Sequence, residues 1–119
     1  MTKALIIDDE LDICLMVTNH LRKLRFDVDY ALTVEDARKK VSSYTYAFML
    51  VDLNLIDGTG FEVIDYVNEL KLSSKIIVIS AYDSEASKVL EKGASLFIPK
   101  PFTIKKVDDA LKTLNFLPY

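Results

Sequence analysis

The sequence predicts an α/β fold in which a five-stranded parallel sheet, in the order 2-1-3-4-5, is flanked by five helices. Short apolar, β-branched runs alternate five times with longer stretches whose apolar residues recur every three or four positions. The joining segments are short, and right-handed crossovers between parallel strands set helices on both faces of one sheet. Polar residues close the apolar runs as Asp8-Asp9, Asp52, Ser80 and Lys100. In an open sheet of this order, ligands bind beyond the carboxyl ends of strands 1 and 3.

The first run, Ala4 to Ile7, is continuously apolar, as suits a strand buried on both faces. A helix follows from about Glu10 to Leu24, with Cys14, Val17, Leu21 and Leu24 as its inward stripe. Cys14 reads as a small buried hydrophobe. His20 lies off the stripe, has no second histidine or cysteine cluster to join, and reads as a solvated surface residue. Phe26 to Tyr30 alternates apolar and acidic residues, the pattern of an edge strand with one exposed side. Thr33, with Asp36 three residues on, caps a second helix whose stripe is Val34, Ala37 and Val41.

Ala47 to Val51 forms the third strand and ends on Asp52. Ile56 to Gly60 is a turn by composition, and a third helix carries Ile64, Val67 and Leu70 inward. Ile76 to Ile79 is the most β-branched run, hence a central strand, and ends on Ser80. Ser84 is the expected cap of a fourth helix with a thin inward face of Ala86, Val89 and Leu90, stopped by Gly93. Leu96 to Ile98 is the fifth strand, followed closely by Lys100-Pro101. Thr103 caps a fifth helix with Ile104, Val107, Leu111 and Leu114 inward, and Phe116 to Tyr119 leaves it.

At 119 residues the chain suits a single domain over 1–119, and its 50% hydrophobic content allows a core without disulfides. A net charge of −3 offers no broad basic field, and no DNA-binding segment follows the fifth helix, so direct nucleic acid binding is not expected. No apolar run approaches a membrane span, no signal-peptide core precedes the first charges, and one cysteine makes no internal disulfide. A cytoplasmic protein without membrane contact is the expectation.

Carboxylates at adjacent strand ends must repel: at ~5 Å and an effective dielectric of ~20, each pair costs about 3 kcal/mol. A hard divalent cation removes the conflict, and Mg²⁺ suits carboxylates, carbonyls, retained waters and a substrate phosphate. Asp9 and Asp52 would ligate it directly, Asp8 through water, and a backbone carbonyl near Asn54 would complete the protein's share. Asp52 can then act as a nucleophile toward a phosphoryl group. Lys100 would counter charge on the phosphoryl oxygens, while the Ser80 hydroxyl and the Ala81 N–H offer donors. Each of these residues alone has an ordinary structural reading as a cap or a loop residue; their coincidence at successive strand ends is what favours a site.

The chain resembles the receiver domains of two-component response regulators, close to the single-domain chemotaxis type in length. The resemblance rests on Ile6-Ile7-Asp8-Asp9-Glu10, Val51-Asp52-Leu53-Asn54-Leu55, Asp57-Gly58-Thr59-Gly60, Ile79-Ser80-Ala81 and Pro99-Lys100-Pro101-Phe102. It implies the flavodoxin-like receiver fold, an aspartyl phosphate formed at Asp52 by a sensor histidine kinase or phosphotransfer protein with Mg²⁺, and an acidic pocket at Asp8 and Asp9. It also implies a cis Lys100-Pro101 bond and a switch through Ser80 and Phe97, which alters a surface of helix 4, strand 5 and helix 5. A downstream protein or fused output domain reads that surface, and a homodimer through it is allowed. Such a domain catalyses only its own phosphorylation and dephosphorylation. Asn54 and Tyr82 fall where the family tunes dephosphorylation, and bulky Tyr82 would obstruct attacking water.

Ile56 stands where the family often has proline, which would loosen the loop after Asp52, and Phe97 stands for the commoner tyrosine. Three rivals remain. A haloacid-dehalogenase-like Mg²⁺ phosphatase also uses an Asp nucleophile, but Asn54 occupies the place of its usual general acid. A flavin carrier of the same topology would find Asp8-Asp9-Glu10 repelling its phosphate. A phosphorylation-independent pseudo-receiver predicts lost acidic or lysine positions, all of which are present. The chain reads equally as a complete single-domain regulator or as a receiver cut from a longer one.

Overall fold

Five parallel strands, β1 (Lys3–Ile7), β2 (Asp27–Ala31), β3 (Phe48–Asp52), β4 (Lys75–Ser80) and β5 (Leu96–Pro99), lie in the order β2-β1-β3-β4-β5. The computed structural model describes residues 1–118; Tyr119, the last residue of the predicted tail, lies outside them. Helices α1 (Leu11–Lys23) and α5 (Ile104–Thr113) cover one face, and α2 (Val34–Ser43), α3 (Gly60–Glu69) and α4 (Ala86–Glu91) cover the other. This is the predicted class and strand order. Among the described residues, no helix is long and apolar enough to cross a membrane.

Side-chain alternation along the strands gives each face its own core. Leu5, Ile7, Met49 and Val51 pack toward α2 and α3, while Ala4, Ile6, Phe48 and Leu50 meet Cys14, Val17 and Leu21 of α1 and Val107 and Leu111 of α5. Each of these strand residues is at most 1% exposed, which is why the runs are apolar throughout rather than alternating. β2 lies at the sheet edge, and its Asp27 is exposed. Thr33 accepts the Asp36 N–H at 3.0 Å and Thr103 accepts that of Lys106 at 3.3 Å, so both predicted caps form. Gly93 closes α4 with φ of 105°, a conformation a side chain would strain.

Several predicted details are corrected. Leu24 and Leu70 are not on inward stripes; each sits at a helix C-terminus, exposed, just before a left-handed residue, Arg25 (φ 70°) or Lys71 (φ 54°). Leu90 is exposed too, leaving Val89 as the buried residue of α4. Ser84 does not cap that helix: it lies inside a 3₁₀ turn, Asp83–Glu85, and Glu85 holds the cap position with no side-chain bond. His20 is not a free surface residue, because its Nε2 lies 2.7 Å from Asp108 Oδ1 and joins α1 to α5. The predicted turn from Ile56 to Gly60 is narrower. Asn54–Leu55 and Gly58–Thr59 form a two-residue antiparallel ladder with Ile56 and Asp57 at its tip, and Gly60 already opens α3. A Cβ on Gly60 would lie 2.5 Å from the Asp52 carbonyl oxygen, so glycine lets α3 begin against the end of β3. After α5 the chain folds back: the Phe116 N–H donates to the Leu111 carbonyl at 2.8 Å, and its ring centroid lies 4.7 Å from that of Phe48.

Candidate functional site

Strand register builds the site. Ile7 is paired with Val51 and Asp52 with Ile79, so Asp8 emerges beside Asp52 at the carboxyl edge. Ser80 is paired with Pro99, and the Lys100 N–H donates to the Ser80 carbonyl at 2.8 Å, which sets Lys100 at the same edge. The Lys100 ammonium lies 3.1 Å from Asp8 Oδ2, 3.1 Å from Asp52 Oδ2 and 3.5 Å from Glu10 Oε2. The Lys100–Pro101 peptide bond is cis.

Asp8 and Asp52 are 2% and 4% exposed, whereas Asp9 stands exposed beside them. The second oxygen of each buried acid takes a backbone donor: Glu10 N–H at 2.9 Å to Asp8 Oδ1, and Asn54 N–H at 3.1 Å to Asp52 Oδ1. Burial is the main influence and holds both carboxyls above the usual range, against the pull of those N–H groups and of Lys100. Burial pulls Lys100 down, but the charges of Asp8 and Asp52 outweigh it and raise the ammonium above the ordinary lysine value. One ammonium does not neutralise this group of acids. Asp8, Asp9 and Asp52 each offer a carboxylate oxygen within 4.8 Å of the others, an all-oxygen donor set of the kind hard divalent cations take.

The remaining expected residues divide. Ser80 is fully buried, and its Oγ accepts the Tyr82 N–H at 3.1 Å, while the Tyr82 side chain is exposed. Phe97 is half-buried against the core on the α3 and α4 face, apart from the acids. Two residues outside the expected set also bear on the site. Glu10 adds a third carboxylate to Lys100, and the Cys14 thiol donates to the Asp8 carbonyl at 3.3 Å. Burial pushes that thiol up to about 12, so it acts here as a neutral donor and packing group. Its place on the inward stripe was legible; its bond to Asp8 was not.

A family model described as the response regulator receiver domain matches residues 4–112. The chain is 30% identical over 113 residues to the response regulator protein PilR of Pseudomonas aeruginosa, covering 93% of this chain and 25% of that protein. It is 32% identical over 114 residues to the alkaline phosphatase synthesis transcriptional regulatory protein PhoP of Bacillus subtilis, covering 94% of this chain and 48% of that one. The chain thus spans half or less of the length of these two relatives. The crystal structure of the response regulator TrrA of Thermotoga maritima, in complex with Mg²⁺–BeF, superposes with a TM-score of 0.85 at 27% identity, covering 96% of this chain and 99% of that one. The non-phosphorylated HemR receiver domain of Leptospira biflexa shares the fold, with a TM-score of 0.90 at 23% identity, covering 100% of this chain and 98% of that one.

Proposed function

The chain belongs to the response regulator receiver domain family of two-component signalling, and from that premise we propose that Asp52 accepts a phosphoryl group from a sensor histidine kinase or phosphotransfer protein. The observation that supports it most is the Lys100 ammonium, 3.1 Å from both buried carboxylates, Asp8 and Asp52. An Asp52 carboxylate oxygen attacks phosphorus, the O–P bond forms as the donor's N–P bond breaks, and the bonding pair stays with the donor imidazole. Lys100 takes part of the charge on the phosphoryl oxygens; the Ser80 hydroxyl and the Ala81 N–H offer further donors. Asp9, Asp52 and the Asn54 carbonyl would hold Mg²⁺, with Asp8 acting through water. Bound there, Mg²⁺ would shield the acids from the incoming phosphoryl group.

Residues 1–119 form one receiver domain in this reading. Phosphorylation draws Ser80 toward the phosphoryl group and Phe97 inward, and the surface of α4, β5 and α5 changes for a downstream protein or fused output domain. Incubation with radiolabelled acetyl phosphate tests the chemistry: Mg²⁺-dependent label is expected, and label that persists undiminished in a chelator would overturn the assignment of the metal. Tyr82 is proposed to slow hydrolysis from its place two residues after Ser80. Decay of the phosphorylated form should then be severalfold faster in Tyr82→Ala, and an equal rate would remove that role.

A further inference from the structure

We propose that Asp57 is a positioning residue for the cation-binding arm of this site: its carboxylate ties the Asn54 ladder to the N-terminus of α2 and so holds the Asn54 backbone against Asp52. The proposal rests on the reading of Asp9, Asp52 and the Asn54 carbonyl as ligands. Asp57 Oδ1 accepts the Val34 N–H at 2.8 Å, and Oδ2 accepts the Glu35 N–H at 3.2 Å. Thr33 caps the same helix through the next N–H, that of Asp36. The two caps therefore do not compete: one is local, and the other comes from across the site.

Isolated two-stranded ladders are marginal, and this one has two residues in each strand. Leu55 roots the ladder in the core, but the side chain at its tip, Ile56, is 81% exposed and cannot fix the tip by burial. Asp57 can, because charge-assisted bonds to two N–H groups fix both the position and the direction of the tip. From there the ladder leads straight to the acids. Leu55 pairs with Gly58, Asn54 pairs with Thr59, and the Asn54 N–H meets Asp52 Oδ1. The returning strand is held by Glu62, which accepts the Thr59 N–H at 3.0 Å, and by the Gly60 N–H on the Leu53 carbonyl at 2.9 Å. The segment before α2 also supports the other buried acid, since the Asp8 N–H donates to the Ala31 carbonyl at 3.1 Å. Asp57 thus locks the arm to the same part of the chain that steadies Asp8.

The test compares Asp57→Ala, Asp57→Asn and Thr33→Ala by amide hydrogen exchange in the metal-free protein and by Mg²⁺ titration followed through amide chemical shifts. Asp57→Ala should speed exchange of the Asn54 amide and weaken Mg²⁺ binding by about fivefold each, the scale of one lost cap. Asp57→Asn keeps an acceptor for Val34 and should recover most of both. Thr33→Ala should lower thermal stability to a similar degree yet leave Asn54 exchange and Mg²⁺ affinity as they were. Equal Mg²⁺ affinities in Asp57→Ala and Thr33→Ala would reduce Asp57 to a helix cap and overturn the proposal. A wild-type chain that binds Mg²⁺ but takes no phosphoryl group defeats the phosphoryl reading alone; one that binds no Mg²⁺ defeats both.

Discussion

Helices α4 and α5 both pack on β5 and are held there by different means. α5 runs for ten residues, is capped by Thr103, and buries Val107, Ala110 and Leu111. α4 has six residues, lacks a side-chain cap, and buries Val89. Its other ties are polar and lie at the surface. Lys92 Nζ meets Asp65 at 3.1 Å, Asn68 donates to the Lys92 carbonyl at 2.8 Å, and Lys88 Nζ sits 4.5 Å from the Phe61 ring centroid. Apolar burial is lost outright when an element moves, whereas exposed polar ties are readily exchanged for water. Without those polar ties α4 would be held by Val89 as its one buried residue, whereas α5 keeps three buried side chains. A thin inward face was expected for the fourth helix, and with Leu90 and Ser84 removed from its anchors it is thinner still.

Truncation should separate the two helices. Leu111→Ala is expected to cost ~2–4 kcal/mol of global stability, read from urea unfolding. Val89→Ala should cost about 1–2 kcal/mol and speed amide exchange within α4 while β4 and β5 stay protected. If the two variants cost the same and unfold as one unit, α4 is as integral as α5 and the contrast fails. Lys88→Met keeps the aliphatic stem and removes the cation from Phe61; ~0.5–1 kcal/mol is the expected scale, felt in α4 exchange alone.

The smallest effect concerns the site, where Lys100 offsets much of the burial of Asp52. Burial raises that folded carboxyl above its unfolded value, so the folded state binds the proton more readily. The associated stability is present below the unfolded value and is lost as pH rises through the folded one. Asp52→Asn should then be the more stable protein at neutral pH, with the gap closing on acidification. The gain should appear in global unfolding and leave the exchange of α4 as it was. A wild-type chain more stable than Asp52→Asn at neutral pH would reverse this sign.

Much of the frame was legible because it depends on local pattern. Apolar runs such as Ala4 to Ile7 announce strands buried on both faces, and polar residues directly after them mark the carboxyl edge. The strand order then sets Asp8-Asp9 beside Asp52, while Lys100, which follows a strand two places away, was placed with them by its position at a strand end and by the family resemblance. What was missed depends on partners distant in sequence or on how an element ends. His20 meets Asp108 and Asp57 caps α2, pairs separated by 88 and 23 residues that no periodicity reports. Leu24 and Leu70 continue their stripes in sequence, but each helix ends before the core reaches them. Gly60 looked like a turn residue by composition; the structure uses its missing side chain for close approach to Asp52.

Asp52, and no other carboxylate of this group, is expected to take the phosphoryl group. Intact mass after treatment with acetyl phosphate and Mg²⁺, followed by peptide mapping, tests it most directly. The wild type should gain one phosphoryl group, carried on the peptide that contains Asp52, and Asp52→Asn should gain none. No gain in the wild type, or an undiminished gain in Asp52→Asn, would contradict it.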